Sequence, residues 1–62
     1  MPGATALLVA ANLGHAKTVQ VLVDARANVN AKRRDGATAL SLAQRHGFDE
    51  IVAILKRAGA TG

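Results

Sequence analysis

The sequence repeats itself. Displaced by 33 positions, Gly3-Ala4-Thr5-Ala6-Leu7 falls on Gly36-Ala37-Thr38-Ala39-Leu40, a run of five consecutive identities. The match continues with Ala10 on Ala43, Gly14 on Gly47, Val19 on Val52, Leu22 on Leu55, Ala25 on Ala58 and Ala27 on Ala60. Conservative pairs, such as Val9 on Leu42 and Val21 on Ile54, lie between them. A fixed period of a few tens of residues is the mark of a stacked array. Each unit has an apolar face too large to bury alone, so it must pack against a neighbour.

Each copy reads as two short helices. The first is expected to start at Thr5 or Thr38, whose hydroxyl can cap free backbone N–H groups. Its apolar residues at 6, 9, 10 and 13 follow helical spacing. Gly14 or Gly47 ends it by supplying a left-handed conformation. The second helix is expected from about 16 to 25 and again from about 49 to 58, with Val19, Leu22, Val23 and Ala25 as the buried face of the first copy. Asp49 and Glu50 begin the last helix and Lys56 and Arg57 end it, an order that suits the helix dipole. Between the copies, the polar stretch Asn28 to Gly36 reads as an extended segment turning back at Asp35-Gly36.

Composition narrows the class. The chain has 62 residues and no Cys, so neither disulfides nor thiol chemistry can support or use the fold. Phe48 is its one aromatic residue, and the core must be built from small aliphatic side chains. The net charge of +4 favours acidic partners. No stretch resembles a signal peptide or reaches the length of a membrane span. The expectation is a soluble intracellular protein, cytoplasmic or nuclear.

The period and the residues together resemble the ankyrin repeat family. Gly36-Ala37-Thr38-Ala39-Leu40 is similar to its Gly-x-Thr-Pro-Leu, and Leu42-Ala43 followed by Gly47 to its Leu-Ala-Ala-x-x-Gly. Ile51 to Leu55 looks like its second-helix core, and Ala27-Asn28-Val29-Asn30-Ala31 resembles its Ala-Asp-Val-Asn-Ala. The resemblance implies an all-α solenoid: two helix-turn-helix units joined by an extended β-turn loop. The expected organisation is one domain over 1–62. Repeat 1 covers 3–35 with an open N-terminal end, and repeat 2 covers 36–62 as a C-terminal cap. Gly3, Thr5, Gly14, Gly36, Thr38, Gly47 and Gly59 are expected to be structural. There are departures from the pattern. Ala6 and Ala39 replace Pro, and Leu8 and Ser41 replace a His that usually ties neighbouring loops. Arg26 stands where the helix-ending Gly is kept as Gly59.

The cap assignment rests on paired substitutions. Ala11, Val23 and Leu8 become Gln44, Lys56 and Ser41, so the second copy loses apolar groups where no repeat would follow it. Thr5 to Ala11 carries no charge, as in an internal repeat or a surface covered by another chain. A two-repeat chain buries a single inter-repeat interface against a backbone entropy of about 1–2 kcal/mol per residue. Marginal stability, or self-association through Ala4 to Leu13, is therefore expected.

The resemblance also places the partner-contacting positions, on the turn and the concave face of the first helix. They fall on Arg34, Asp35, Ala37, Arg45 and His46 in the second copy and on Ala4, Asn12 and Leu13 in the first. Lys32-Arg33-Arg34 is the sharpest cluster; it suits an acidic protein surface or phosphate, and equally a solvated basic loop. Leu13 reads either as an exposed anchor or as helix packing. Asn30 resembles a turn asparagine hydroxylated in some family members, and it also suits a turn-organising role. His15 and His46 lack metal-ligand spacing, and Asp49 and Glu50 are adjacent, so they point to different sides of a helix. No nucleotide or nucleophile motif is present. No cofactor, metal or catalytic role is assigned, and the chain is not read as an enzyme. The partner expected is another protein with an acidic surface. The alternatives are a minimal or truncated repeat unit that self-associates, and weak electrostatic nucleic-acid binding, which lacks the aromatic residues that stack bases.

Overall fold

Helices form where the chain supplies helix formers, and they end where it supplies a residue that tolerates positive φ. The computed structural model describes residues 3–61. Met1, Pro2 and Gly62, which belong to the expected 1–62 domain and 36–62 repeat, lie outside the described residues. Four helices follow one another: α1 (Gly3–Leu13), α2 (Ala16–Asp24), α3 (Ala39–His46) and α4 (Asp49–Arg57). No strand occurs among the described residues, only an isolated antiparallel bridge between Lys32 and Thr38.

All four helix ends close in the same way. His15 N–H donates to the Ala10 carbonyl at 3.0 Å and Phe48 N–H to Ala43 at 2.9 Å, across Gly14 (φ 81°) and Gly47 (φ 72°). Ala27 N–H donates to Leu22 at 3.0 Å and Ala60 N–H to Leu55 at 2.9 Å, across Arg26 (φ 66°) and Gly59 (φ 93°). Each bond reaches back five residues over a left-handed residue, the Schellman closure that satisfies carbonyls at a helix end. Arg26 thus adopts the glycine-type conformation that its alignment with Gly59 implies.

The helix starts differ between the copies. Thr38 is an N-cap in extended conformation. Its Oγ1 accepts from Ser41 N–H at 3.1 Å, while Ser41 Oγ accepts from Thr38 N–H at 2.9 Å, a reciprocal capping box. Ser41, the replacement for the family's His, is committed to this local bond. Thr5 does not cap: it lies within α1 and is exposed. Thr38 is extended and bridged to Lys32, whereas Thr5 already lies inside the helix that begins at Gly3.

The helices stack in two layers. α1 packs on α3 in one layer and α2 lies beside α4 in the other, with each pair α1·α2 and α3·α4 joined across the layers. The core between them holds Leu7, Ala10, Ala11 and Val19 from the first copy and Leu40, Ala43, Ile51 and Leu55 from the second. Alanines at Ala10, Ala11, Ala39 and Ala43 let α1 and α3 approach closely. Of the expected face of α2, Val19 is buried and Leu22 and Val23 are half-buried. Ala25 is exposed instead, because the helix has ended and Ala25 is its C-cap.

Candidate functional site

Residues 32–38 form a hairpin-like turn. Arg33 N–H donates to the Ala37 carbonyl at 2.8 Å, and Gly36 N–H donates back to Arg33 at 3.0 Å. Gly36 takes φ 85°, a conformation that favours glycine. Asp35 Oδ1 accepts from Ala37 N–H at 3.0 Å, and Asp35 Oδ2 meets Arg33 Nη2 at 3.3 Å in an exposed ion pair. The Ala37 N–H bond holds the Asp35 carboxyl below its ordinary pKa of 3.8; slight desolvation opposes it, and the charges of Arg33 and Arg45 reinforce it. Lys32, Arg33, Arg34 and Arg45 are all exposed, and of these Arg33 and Arg45 act on the Asp35 carboxylate.

Beside this turn runs the outer face of α1. Thr5, Leu8, Val9 and Asn12 follow the i, i+3, i+4, i+7 spacing of one helical face, opposite the buried Leu7, Ala10 and Ala11. With Leu13 and Arg33 they line an open groove of ≈ 300 Å³. A second hollow continues it through Thr5, Leu8 and Arg33 to Lys32, Arg34 and Asp35. The site is therefore one apolar channel running along α1 into a cationic turn.

The expected contact residues divide between three settings. Leu13 is 58% exposed on the groove, which favours its reading as a surface side chain over helix packing. Asn12 and His46 are both exposed and engage each other, with His46 Nε2 at 3.1 Å from Asn12 Oδ1. This contact ties the end of α1 to the end of α3. The His46 ring also stacks on Phe48, with centroids 5.4 Å apart. Ala37 does not belong on a contact surface. It is only 9% exposed, because the turn folds its side chain inward while its backbone serves both Arg33 and Asp35. Ala4 is half-buried.

Two arrangements were missed from the sequence: the meeting of α1 with Arg33 in one groove and the reach of Asn30 to Thr61. Thr5, Leu8 and Val9, which lie in the Ala4 to Leu13 stretch expected to self-associate, meet Arg33 in the groove, while α2 and α3 pack on other sides of α1. The single sequence signal was the absence of charge from Thr5 to Ala11. Asn30 reaches further than its own turn: its Oδ1 accepts from Thr61 N–H at 2.9 Å, pinning the inter-repeat segment to the segment after α4. Asn28 Oδ1 meanwhile accepts from Asn30 N–H at 3.1 Å. His15 starts α2 through its backbone, with no side-chain cap bond.

No helix among the described residues is long and apolar enough to cross a membrane. Residues 2–61 match a family model described as ankyrin repeats (3 copies). The described residues hold two units of that helix-turn-helix type, joined by the turn at 32–38. Ankyrin repeats serve as non-enzymatic scaffolds that mediate binding to other proteins. With nearly its whole length matched, and with both units in the expected arrangement, this chain belongs to the ankyrin repeat family.

Proposed function

We propose that the chain holds another protein by an acidic surface, using the turn at 32–38 and the outer face of α1, without catalytic chemistry of its own. The observation that carries this reading is the excess of cations at one end of an apolar groove. Lys32, Arg33 and Arg34 share one hollow with a single carboxylate, Asp35, which Arg33 already engages, and Arg45 adds its charge from the last turn of α3. Such a field steers an acidic surface inward, and the groove supplies apolar area once it arrives. The binding proposed is intracellular, in cytoplasm or nucleus, a reducing setting compatible with a chain that has no Cys.

The test is affinity capture followed by titration of each recovered protein in purified form. Arg34→Glu combined with Arg45→Glu is expected to weaken binding at least about tenfold. Lys17→Glu, a charge reversal on exposed α2, is expected to leave it unchanged. Partners that bind the double variant as tightly as the parent overturn the reading.

A second reading, self-association through Ala4 to Leu13, draws on a separate observation. Val9 is 48% exposed, whereas its counterpart Leu42 is 2% exposed; Val21 is 58% exposed, whereas Ile54 is 6% exposed. The first copy thus leaves open the positions that the second copy buries against it.

A further inference from the structure

We propose that the groove selects a particular kind of acidic partner: an extended segment with one bulky apolar residue, leucine or phenylalanine, flanked by carboxylates. The inference rests on the binding reading above and specifies its ligand. α1 is apolar on both sides. Leu7, Ala10 and Ala11 face the core; Leu8, at the edge of the core, lines the groove with Val9 and Leu13, between Thr5 and Asn12. A helix that is apolar all round is normally covered all round. The chemistry of the rim says what covers it. Arg33 lines both hollows, and Lys32 and Arg34 extend the second one away from α1. An apolar side chain seated between Leu8, Val9 and Leu13 therefore brings its chain neighbours over a guanidinium and two further cations. Carboxylates there gain charge-assisted hydrogen bonds.

At low salt, charge complementarity favours an acidic segment over a second copy in this groove, because each copy carries a net charge of +4 and would set cation against cation. Nucleic acid fits the rim but not the channel. Branched aliphatic side chains line it, with no aromatic face for a base to stack on.

The experiment is a fluorescence-anisotropy titration of the whole chain with short fluorescein-labelled glutamate peptides. One carries a central leucine, one a central phenylalanine and one neither. A single-stranded oligonucleotide is the fourth probe, and a leucine peptide flanked by lysines is the fifth. A leucine or phenylalanine peptide is expected to bind about tenfold more tightly than the all-glutamate peptide. Leu13→Ser is expected to remove that advantage while leaving all-glutamate binding unchanged. Arg33→Glu is expected to weaken both acidic peptides and to favour a peptide in which lysines flank the leucine. Both substitutions are at exposed positions, and circular dichroism melts verify that each variant folds.

Equal affinity for all the glutamate peptides, with no effect of Leu13→Ser, overturns this inference and leaves the electrostatic reading standing. Failure of every acidic peptide to bind overturns the inference and that reading together. Tighter binding of the oligonucleotide than of any peptide assigns the rim to nucleic acid and overturns both. A dimer in the titration buffer that the peptides do not dissociate gives the groove to a second copy, and overturns the inference.

Discussion

A methyl group built on Gly14 would stand 2.9 Å from Cζ of Phe48, whereas one on Gly47 would meet nothing within 4 Å. Both glycines have positive φ, so both carry the same backbone demand. Only Gly14 also lies under an aromatic ring, and that ring is held by stacking on His46. Gly47→Ala is expected to cost about 1 kcal/mol from the left-handed conformation alone. Gly14→Ala should cost about 2 kcal/mol or more, with the excess vanishing in a Phe48→Ala background, as a double-mutant cycle in denaturant would reveal. Equal costs at the two glycines would remove the Phe48 contact from the account. Arg26 presents the converse case, a side chain where the backbone favours none. Arg26→Gly relieves that strain at the expense of a more flexible unfolded chain, for a net gain of order 0.5–1 kcal/mol. A thermal melt showing no rise in Tm contradicts it. The positive φ at Gly14, Gly47 and Arg26 was legible from the repeat alignment, since helix-ending positions recur at fixed places. The Phe48 contact was not legible, because it depends on how the second copy lies across the first.

The turn at 32–38 is an element whose parts answer to local chemistry. Asp35-Gly36 marked it in the sequence, and Thr38 was readable as the cap of α3. Thr5 misled because a threonine caps a helix from an extended backbone just outside it, as Thr38 does, whereas α1 begins before Thr5. Within the turn, Asp35 ties the Ala37 N–H to the loop, and this lowers its pKa below 3.8. A carboxyl with a depressed folded-state value contributes its stability above the unfolded pKa. That contribution is lost as pH falls through the lower, folded value. The Ala37 amide resonance, followed by NMR during acidification, should therefore titrate with a midpoint below 3.8. In Asp35→Asn the carboxyl is gone and the transition should disappear. A midpoint at or above the ordinary aspartate value would show that the Ala37 bond does not hold the turn in solution. The apolar channel beside the turn was legible only in part. The uncharged run from Thr5 to Ala11 was readable as a surface to be covered, but its meeting with Arg33 in one groove depends on how the second copy stacks on the first.

Across the whole molecule the two flanks differ in chemistry, and this determines how copies can meet. The open flank of the first copy carries Val9 and Val21, with Thr18 exposed where the second copy buries Ile51. The opposite flank of the second copy carries exposed Gln44 and Lys56, where the first copy has buried Ala11 and half-buried Val23. Head-to-tail addition would press apolar residues onto polar ones, so the favoured self-contact is a closed pair in which the open flank meets its own kind. Charge opposes that pair, since each copy carries +4, and salt screens the repulsion within a Debye length of about 10 Å at 0.1 M and less above it. Self-association should accordingly strengthen as salt rises, the reverse of what salt does to an acidic partner at the cationic turn. In sedimentation the chain is expected to shift from monomer toward dimer between low salt and about 1 M, with a Tm that rises with protein concentration. Val9→Ser combined with Val21→Ser should abolish both effects, because it gives the open flank the polarity of the closed one. Monomeric mass at every salt concentration, with a Tm independent of protein concentration, would refute association through this flank. The outer face of α1 would then be left to the acidic partner.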